Sequence, residues 1–217
     1  MFPINLRLTG RKVLLVGAGK VGRRKLDKLI KAEAWILVVE PNPDEGLRAM
    51  AAEVSIKMKT SVGPNWGEGW GLEFAAATEH GLKLAVAKAA GAKGGVVNGG
   101  EAPGLSDFIL PAVGEDGDFQ GGISTGGARP ALAAKVAADL RDSFGPTYGR
   151  LTQLASILRP IIMSAGLSQS ERDTIFKRLI NSVDLKNCLA DRDMISAVKL
   201  VRELVLPIQL NKDFNLD

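Results

Sequence analysis

The chain has 217 residues, 46% of them hydrophobic and 24% charged, enough apolar material for a large buried core and too much for a disordered chain. A net charge of +4 with only 5% aromatic residues argues against a nucleic-acid surface, which clusters cations with aromatics between them. One cysteine and one histidine exclude an intramolecular disulfide and a standard His/Cys zinc site, and no apolar run suits a signal peptide or a membrane span, so a cytoplasmic protein with no metal is expected.

In chain order, "KVLLVG" (Lys12–Gly17) reads as a buried parallel strand ending in glycine. "VGRRKLDKLIKA" then places Val21, Leu26, Leu29 and Ile30 near one helical face, and "WILVVEP" (Trp35–Pro41) is a second apolar, β-branched run. Strand, glycine turn, helix and strand form a βαβ unit. Further on, "GLRAMAAEV" predicts a helix, "SIKMKTS" an alternating strand and "LEFAAAT" a strand. "HGLKLAVAKAAGA" predicts a helix and "GGVVNGG" a weak strand, with "SDFILPAV" and "FQGGIST" as additional strands. From Ala128 the pattern is helical: "ARPALAAKVAADLRDSF" starts with Pro130 in its first turn and is expected to stop at Gly145-Pro146. "SQSERDTIFKRLINSV" opens with capping-box spacing, and "DRDMISAVKLVRELVL" ends at Pro207. The fold class is therefore α/β: an N-terminal Rossmann-like, doubly wound parallel sheet, a short middle segment and a small C-terminal helical domain.

Gly17, Gly19 and Gly22 have the G-x-G-x-x-G spacing in the context it requires, after a strand and opening a helix. Gly17 permits the tight turn, Gly19 lets a pyrophosphate approach the backbone, and Gly22 lets helix and strand pack closely. Ala18, Lys20 and Val21 complete the loop, and the helix start offers its free N–H groups to phosphate. Glu40, ending the second strand, can accept from ribose hydroxyls and repels a 2′-phosphate, which favours NAD over NADP. Thr78 lies at the end of "AAAT", where the crevice of an open sheet receives ligands. His80, the lone histidine, suits acid–base work but sits beside a helix start where a polar residue needs no function. "VVNGGEAPGLSDFILP" gathers Asn98, Glu101, Ser106 and Asp107 after a strand, and by residue type neither acid stands out as a general base. Ser124, Thr125, Gly126 and Arg129, in "ISTGGARP", open a helix that could bind an anion, while also suiting an ordinary capping turn.

Taken together, "FPINLRLTGRKVLLVGAGKVGRRKLDKL", "AAATEH", "VVNGGEAPGLSDFILPA" and "GGISTGGARPALAAKV" resemble, in this order, the precorrin-2 dehydrogenase family, the dehydrogenase module of siroheme synthases. The resemblance implies NAD-dependent oxidation of precorrin-2 to sirohydrochlorin. It also implies a homodimer formed through the segment after the Rossmann domain, giving an NAD-binding domain at 1–112, a dimerisation segment at 113–145 and a helical domain at 146–217. Some members also insert iron, so a bifunctional ferrochelatase is one alternative; a dinucleotide-binding regulatory module without catalysis is another. The family's catalytic aspartate matches Glu101, where this chain reads Asn98-Gly99-Gly100-Glu101. Glutamate is one methylene longer with a similar reference pKa, about 4.3 against 3.9. Asn98, Asp107, Ser124, Thr125, Gly126 and Arg129 are the expected substrate contacts, with Thr125 standing where some relatives have serine. A polycarboxylate substrate calls for basic partners, and Arg129, Lys135, Arg150 and Arg159 are available to grip carboxylates. Neither a nucleic acid nor a membrane is expected as a partner.

Overall fold

The computed structural model describes residues 1–54, 56–61, 71–77, 79–92, 94–100 and 103–205. The chain divides into two compact units, Met1–Leu110 and Pro111–Asp217.

The first unit is a five-stranded, wholly parallel sheet in the order β3-β2-β1-β4-β5. Its strands are β1 (Lys12–Val16), β2 (Trp35–Val39), β3 (Lys57–Lys59), β4 (Leu72–Ala75) and β5 (Val96–Asn98). The helices are α1 (Lys20–Lys31), α2 (Glu45–Glu53) and α3 (His80–Ala92). β1 lies at the centre and is apolar on both sides, as a strand covered by helices on both faces must be. Val13 and Leu15 join Leu26, Leu29, Ile36, Val38, Leu47, Leu72 and Phe74 on one face, under α1 and α2. Leu14 and Val16 join Leu37, Val39, Ala75, Val86, Ala90 and Val97 on the other, under α3. The order 3-2-1-4-5 reverses direction at β1, so the crevice at the carboxyl ends of β1 and β4 is where this architecture binds ligands.

Two local expectations change. Val21 is 45% exposed, and the buried face of α1 is Gly22, Lys25, Leu26 and Leu29. Gly22 owns that face because the helix is pressed onto the glycine turn. In addition, Ser106–Pro111 are not in a strand: a 3-10 turn (Pro103–Leu105) intervenes, and Phe108 packs edge-on against Phe74 with ring centroids 5.5 Å apart.

The second unit begins with an antiparallel hairpin, β6 (Ala112–Asp116) and β7 (Phe119–Ile123), turned by Gly117-Asp118. It continues in α4 (Pro130–Ser164), α5 (Gln169–Asn181), α6 (Val183–Asp191) and α7 (Met194–Val205). α4 is one helix of 35 residues, about 50 Å long, running straight through Gly145-Pro146. The expected break fails because tertiary contact outweighs the proline's lost hydrogen bond. The hairpin lies on α4 so closely that a Cβ at Gly149 would stand 2.8 Å from the Asp116 carbonyl oxygen, and one at Gly145 would stand 3.0 Å from the Asp116 Cβ. From the hairpin side, a Cβ at Gly114 would meet the Ala137 carbonyl oxygen at 2.2 Å. These glycines serve close approach rather than termination. The C-terminal half of α4 gives Leu151, Leu158 and Ile162 to a core completed by Ile175, Leu179, Leu185, Leu189, Ala197, Val201 and Val205. The predicted capping box on α5 forms, with Ser168 and Glu171 bonded reciprocally.

Candidate functional site

The turn after β1 is built around two glycines that admit no side chain and one that faces open space. Gly17 has φ +90°, and a Cβ there would lie 2.5 Å from the Ala77 amide nitrogen. A Cβ at Gly22 would lie 2.1 Å from the Gly17 carbonyl oxygen. At Gly19, by contrast, nothing stands within 4 Å of the Cβ position. The backbone at Gly19 is therefore bare toward the start of α1, where Lys20 and Val21 are exposed and Ala18 is buried. A helix start with unpaired N–H groups and no side chain in the way suits a diphosphate. These residues fit a dinucleotide.

Glu40 closes the side of this turn. Its Oε2 accepts from the Ala18 N–H at 2.7 Å and its Oε1 from the Asn42 N–H at 3.2 Å. Each oxygen keeps a lone pair that a ribose hydroxyl can use. Ala18, Gly19, Arg23, Glu40, Asn42 and Asp44 line one cleft. Arg23 donates through Nε to the Ala18 carbonyl at 3.2 Å and pairs with Asp44 at 2.5 Å. Asp44 also caps α2 by accepting from the Leu47 N–H at 2.8 Å. The Arg23 guanidinium, then the Leu47 N–H, hold the Asp44 carboxyl below its ordinary range.

At the carboxyl end of β5 the side chains fix the backbone. Asn98 is 5% exposed; its Oδ1 accepts from the Lys25 ammonium at 2.7 Å and its Nδ2 donates to the Phe108 carbonyl at 2.8 Å. Asp107 accepts from the Val97 N–H at 2.9 Å, and Ser106 accepts from the Gly99 N–H at 2.9 Å. Asn98 and Asp107, expected against substrate, thus bind the strand end to the following loop. Gly100 has φ +66°, a conformation that favours glycine, which accounts for a glycine directly before Glu101. Glu101 and Thr78 lie outside the described residues. His80 is exposed at the first position of α3.

Ser124, Thr125, Gly126 and Arg129 belong to the second unit and form a turn leading into α4. The Arg129 N–H donates to Thr125 Oγ1 at 3.2 Å, the Thr125 hydroxyl donates to the Arg129 carbonyl at 3.1 Å, and the Gly126 N–H donates to Ser124 Oγ at 3.2 Å. Gly126 and Gly127 both have positive φ, 64° and 88°. Of the other expected cations, Lys135 pairs with Asp139, and Arg150 donates to the Leu189 carbonyl at the end of α6. Among the described residues, no group of three or more His, Cys, Asp or Glu side chains could hold a metal ion. Nor, among them, is any helix long and apolar enough to cross a membrane.

Lys25 is the residue that sequence reasoning passes over. It is only 8% exposed, with its ammonium 5.3 Å from the centre of the Phe74 ring. The available signal is its position three residues after Gly22 and four before Leu29, on the buried face of α1. Burial, and then the charge of Lys83, push its pKa from 10.5 down to about 8. Because folding lowers this pKa, the unfolded chain holds more protons between these two values, and the lysine's contribution to stability rises with pH across that window. The urea midpoint of the wild type relative to Lys25→Met is therefore expected to move in favour of the wild type from about pH 7 to about pH 10. A constant difference would show that Lys25 does not titrate in this range.

Residues 4–112 match a family model described as "Putative NAD(P)-binding". The siroheme synthase of Methylococcus capsulatus is 34% identical over 164 residues, which is 75% of this chain and 35% of that protein. Siroheme synthase 3 of Aeromonas hydrophila is 31% identical over 203 residues, 93% of this chain and 43% of that one. The chain thus spans well under half the length of these relatives. Among solved structures, SirC, a precorrin-2 dehydrogenase, superposes with a TM-score of 0.76 at 23% identity, over 92% of this chain and all of that chain, which establishes the shared fold.

Proposed function

This chain belongs to the NAD(P)-binding family and is related in sequence to the siroheme synthases, and from that premise we propose that it oxidises precorrin-2 to sirohydrochlorin with NAD. The observation that carries the reading is the turn at Gly17–Gly22, bare at Gly19 and bounded by Glu40. Gly17, Ala18, Gly19, Lys20, Val21 and Gly22 hold the pyrophosphate, Glu40 takes the adenosine ribose, and Thr78 borders the cofactor. NAD supplies the hydride acceptor. Glu101 removes the proton that leaves the tetrapyrrole as the hydride departs, so the substrate loses two hydrogens in all. Lys25, Asn98, Ser106 and Asp107 hold the strand end that precedes Glu101. Ser124 offers its hydroxyl hydrogen and Arg129 its guanidinium to the substrate carboxylates, while Thr125 and Gly126, whose hydroxyl and N–H are used within the turn, set its shape.

The reaction takes place in the cytoplasm on a homodimer. Leu132, Val136 and Phe144 on α4 are 54%, 40% and 49% exposed, an apolar face that a second copy would cover. Sedimentation at micromolar concentration is expected to give a dimer; a stable monomer would refute this part. Incubating purified protein with precorrin-2 and NAD, and following the absorbance of NADH and sirohydrochlorin, tests the main reading. NAD binding without turnover would favour a regulatory module. Supplying ferrous ion to sirohydrochlorin then shows whether the chain also inserts metal.

A further inference from the structure

The cleft beside Glu40 contains an ion pair whose placement bears on the adenosine end of the ligand. This inference rests on the cleft being the dinucleotide site. Two cations line it, Lys20 and Arg23. The Arg23 guanidinium is held from two sides, by the Ala18 carbonyl at 3.2 Å and by Asp44 at 2.5 Å. Asp44 is itself held, because its other oxygen caps α2 through the Leu47 N–H. A guanidinium is the side chain best matched to a phosphate, since its planar fork meets two oxygens at once. Here that fork already has a carboxylate partner. An anionic group arriving next to Glu40 therefore meets two carboxylates and a guanidinium whose charge is balanced, the second cation, Lys20, being the one assigned to the pyrophosphate.

We propose that Arg23 and Asp44 are specificity-determining residues of this site: Asp44 keeps Arg23 engaged, so that a ribose with a free 2′-hydroxyl is accepted and one carrying a 2′-phosphate is refused. Glu40 acts on the same group by repulsion, whereas Asp44 acts by withholding the cation. Asp44 is exposed and Arg23 half-buried, at 64% and 32% for the two side chains, and ion pairs this open to solvent contribute little to folding. Loss of the pair should therefore alter recognition without unfolding the unit.

The test compares NAD and NADP binding to the full chain by titration calorimetry. Asp44→Asn removes the charge but keeps an oxygen for the helix cap, since asparagine caps as well as aspartate. It is expected to strengthen NADP binding about tenfold, the scale of one charge-assisted hydrogen bond, while NAD affinity stays within about twofold. Adding Arg23→Ala to that variant should restore the original preference. An unchanged NADP-to-NAD ratio in Asp44→Asn overturns the proposal. So does a gain that survives the loss of Arg23, which would assign the phosphate to Lys20 or another group. Wild-type binding of NAD with no shift in the variant removes this inference and leaves the dinucleotide reading standing; binding of neither nucleotide removes both.

Discussion

Gly19→Val is expected to lose NAD while keeping its fold. The Cβ position at Gly19 is empty for 4 Å around, so valine meets no protein atom at its first carbon and folding is spared. Its branched methyls would instead fill the space proposed for the pyrophosphate against the helix start. An overpacked contact of roughly 3 kcal/mol, at 1.4 kcal/mol per tenfold, corresponds to about 100-fold weaker binding. The neighbouring glycines give the control. Gly22→Val drives a carbon to within 2.1 Å of the Gly17 carbonyl oxygen, and backbone cannot yield as a flexible side chain can. That variant should lose stability first and binding as a consequence. Thermal melting and calorimetric titration of both variants separate the two effects. If Gly19→Val binds NAD with wild-type affinity, the phosphate is not at this turn.

Glu101→Gln is expected to slow precorrin-2 oxidation by about 10²–10⁴-fold, the usual contribution of a general base, with NAD binding retained. Glutamine keeps the size of the side chain and removes its capacity to take a proton. Glu101→Asp is the sharper variant. The preceding backbone is fixed by Asn98, by Ser106 on the Gly99 N–H and by the positive φ of Gly100. A loop set for the longer side chain should leave aspartate short of the substrate, so it should be slower than glutamate although it restores the family's residue. Wild-type turnover in Glu101→Gln would instead limit Glu101 to positioning, or transfer the base role to another residue.

The sheet of the first unit is readable from sequence because β1 and β2 are apolar runs closed by glycine or by an acid and proline, the edge strand β3 alternates Lys57-Met58-Lys59, and the glycine turn has a fixed spacing. Such signals are local. What escapes is decided by contacts distant in sequence. Lys25 looks like one more cation on a charged helix, and only the arrival of Asn98, 73 residues later, gives its ammonium a buried partner. Asp107 looks like a catalytic candidate until the Val97 N–H is seen to claim it. Gly145-Pro146 has the composition of a helix end, yet Asp116 from the hairpin uses Gly145 and Gly149 as contact points and the helix continues. α6 is hidden for a different reason. Ser182 both ends α5 and caps α6 through the Leu185 N–H, so no loop separates the two helices and their patterns merge. The Arg23–Asp44 pair joins two helices across 21 positions, a spacing without any sequence signature.

The unbroken course of α4 also determines where this chain can be divided. A cut at the proline would look like a natural seam between modules. It would in fact split one rod whose first half carries the hairpin and whose second half carries Leu151, Leu158 and Ile162 into the helical core. Neither piece would keep its partner, so hairpin and helices form a single heritable block. Recombination or domain transplantation within this lineage should respect the junction near Leu110 and Pro111, and should fail at the proline.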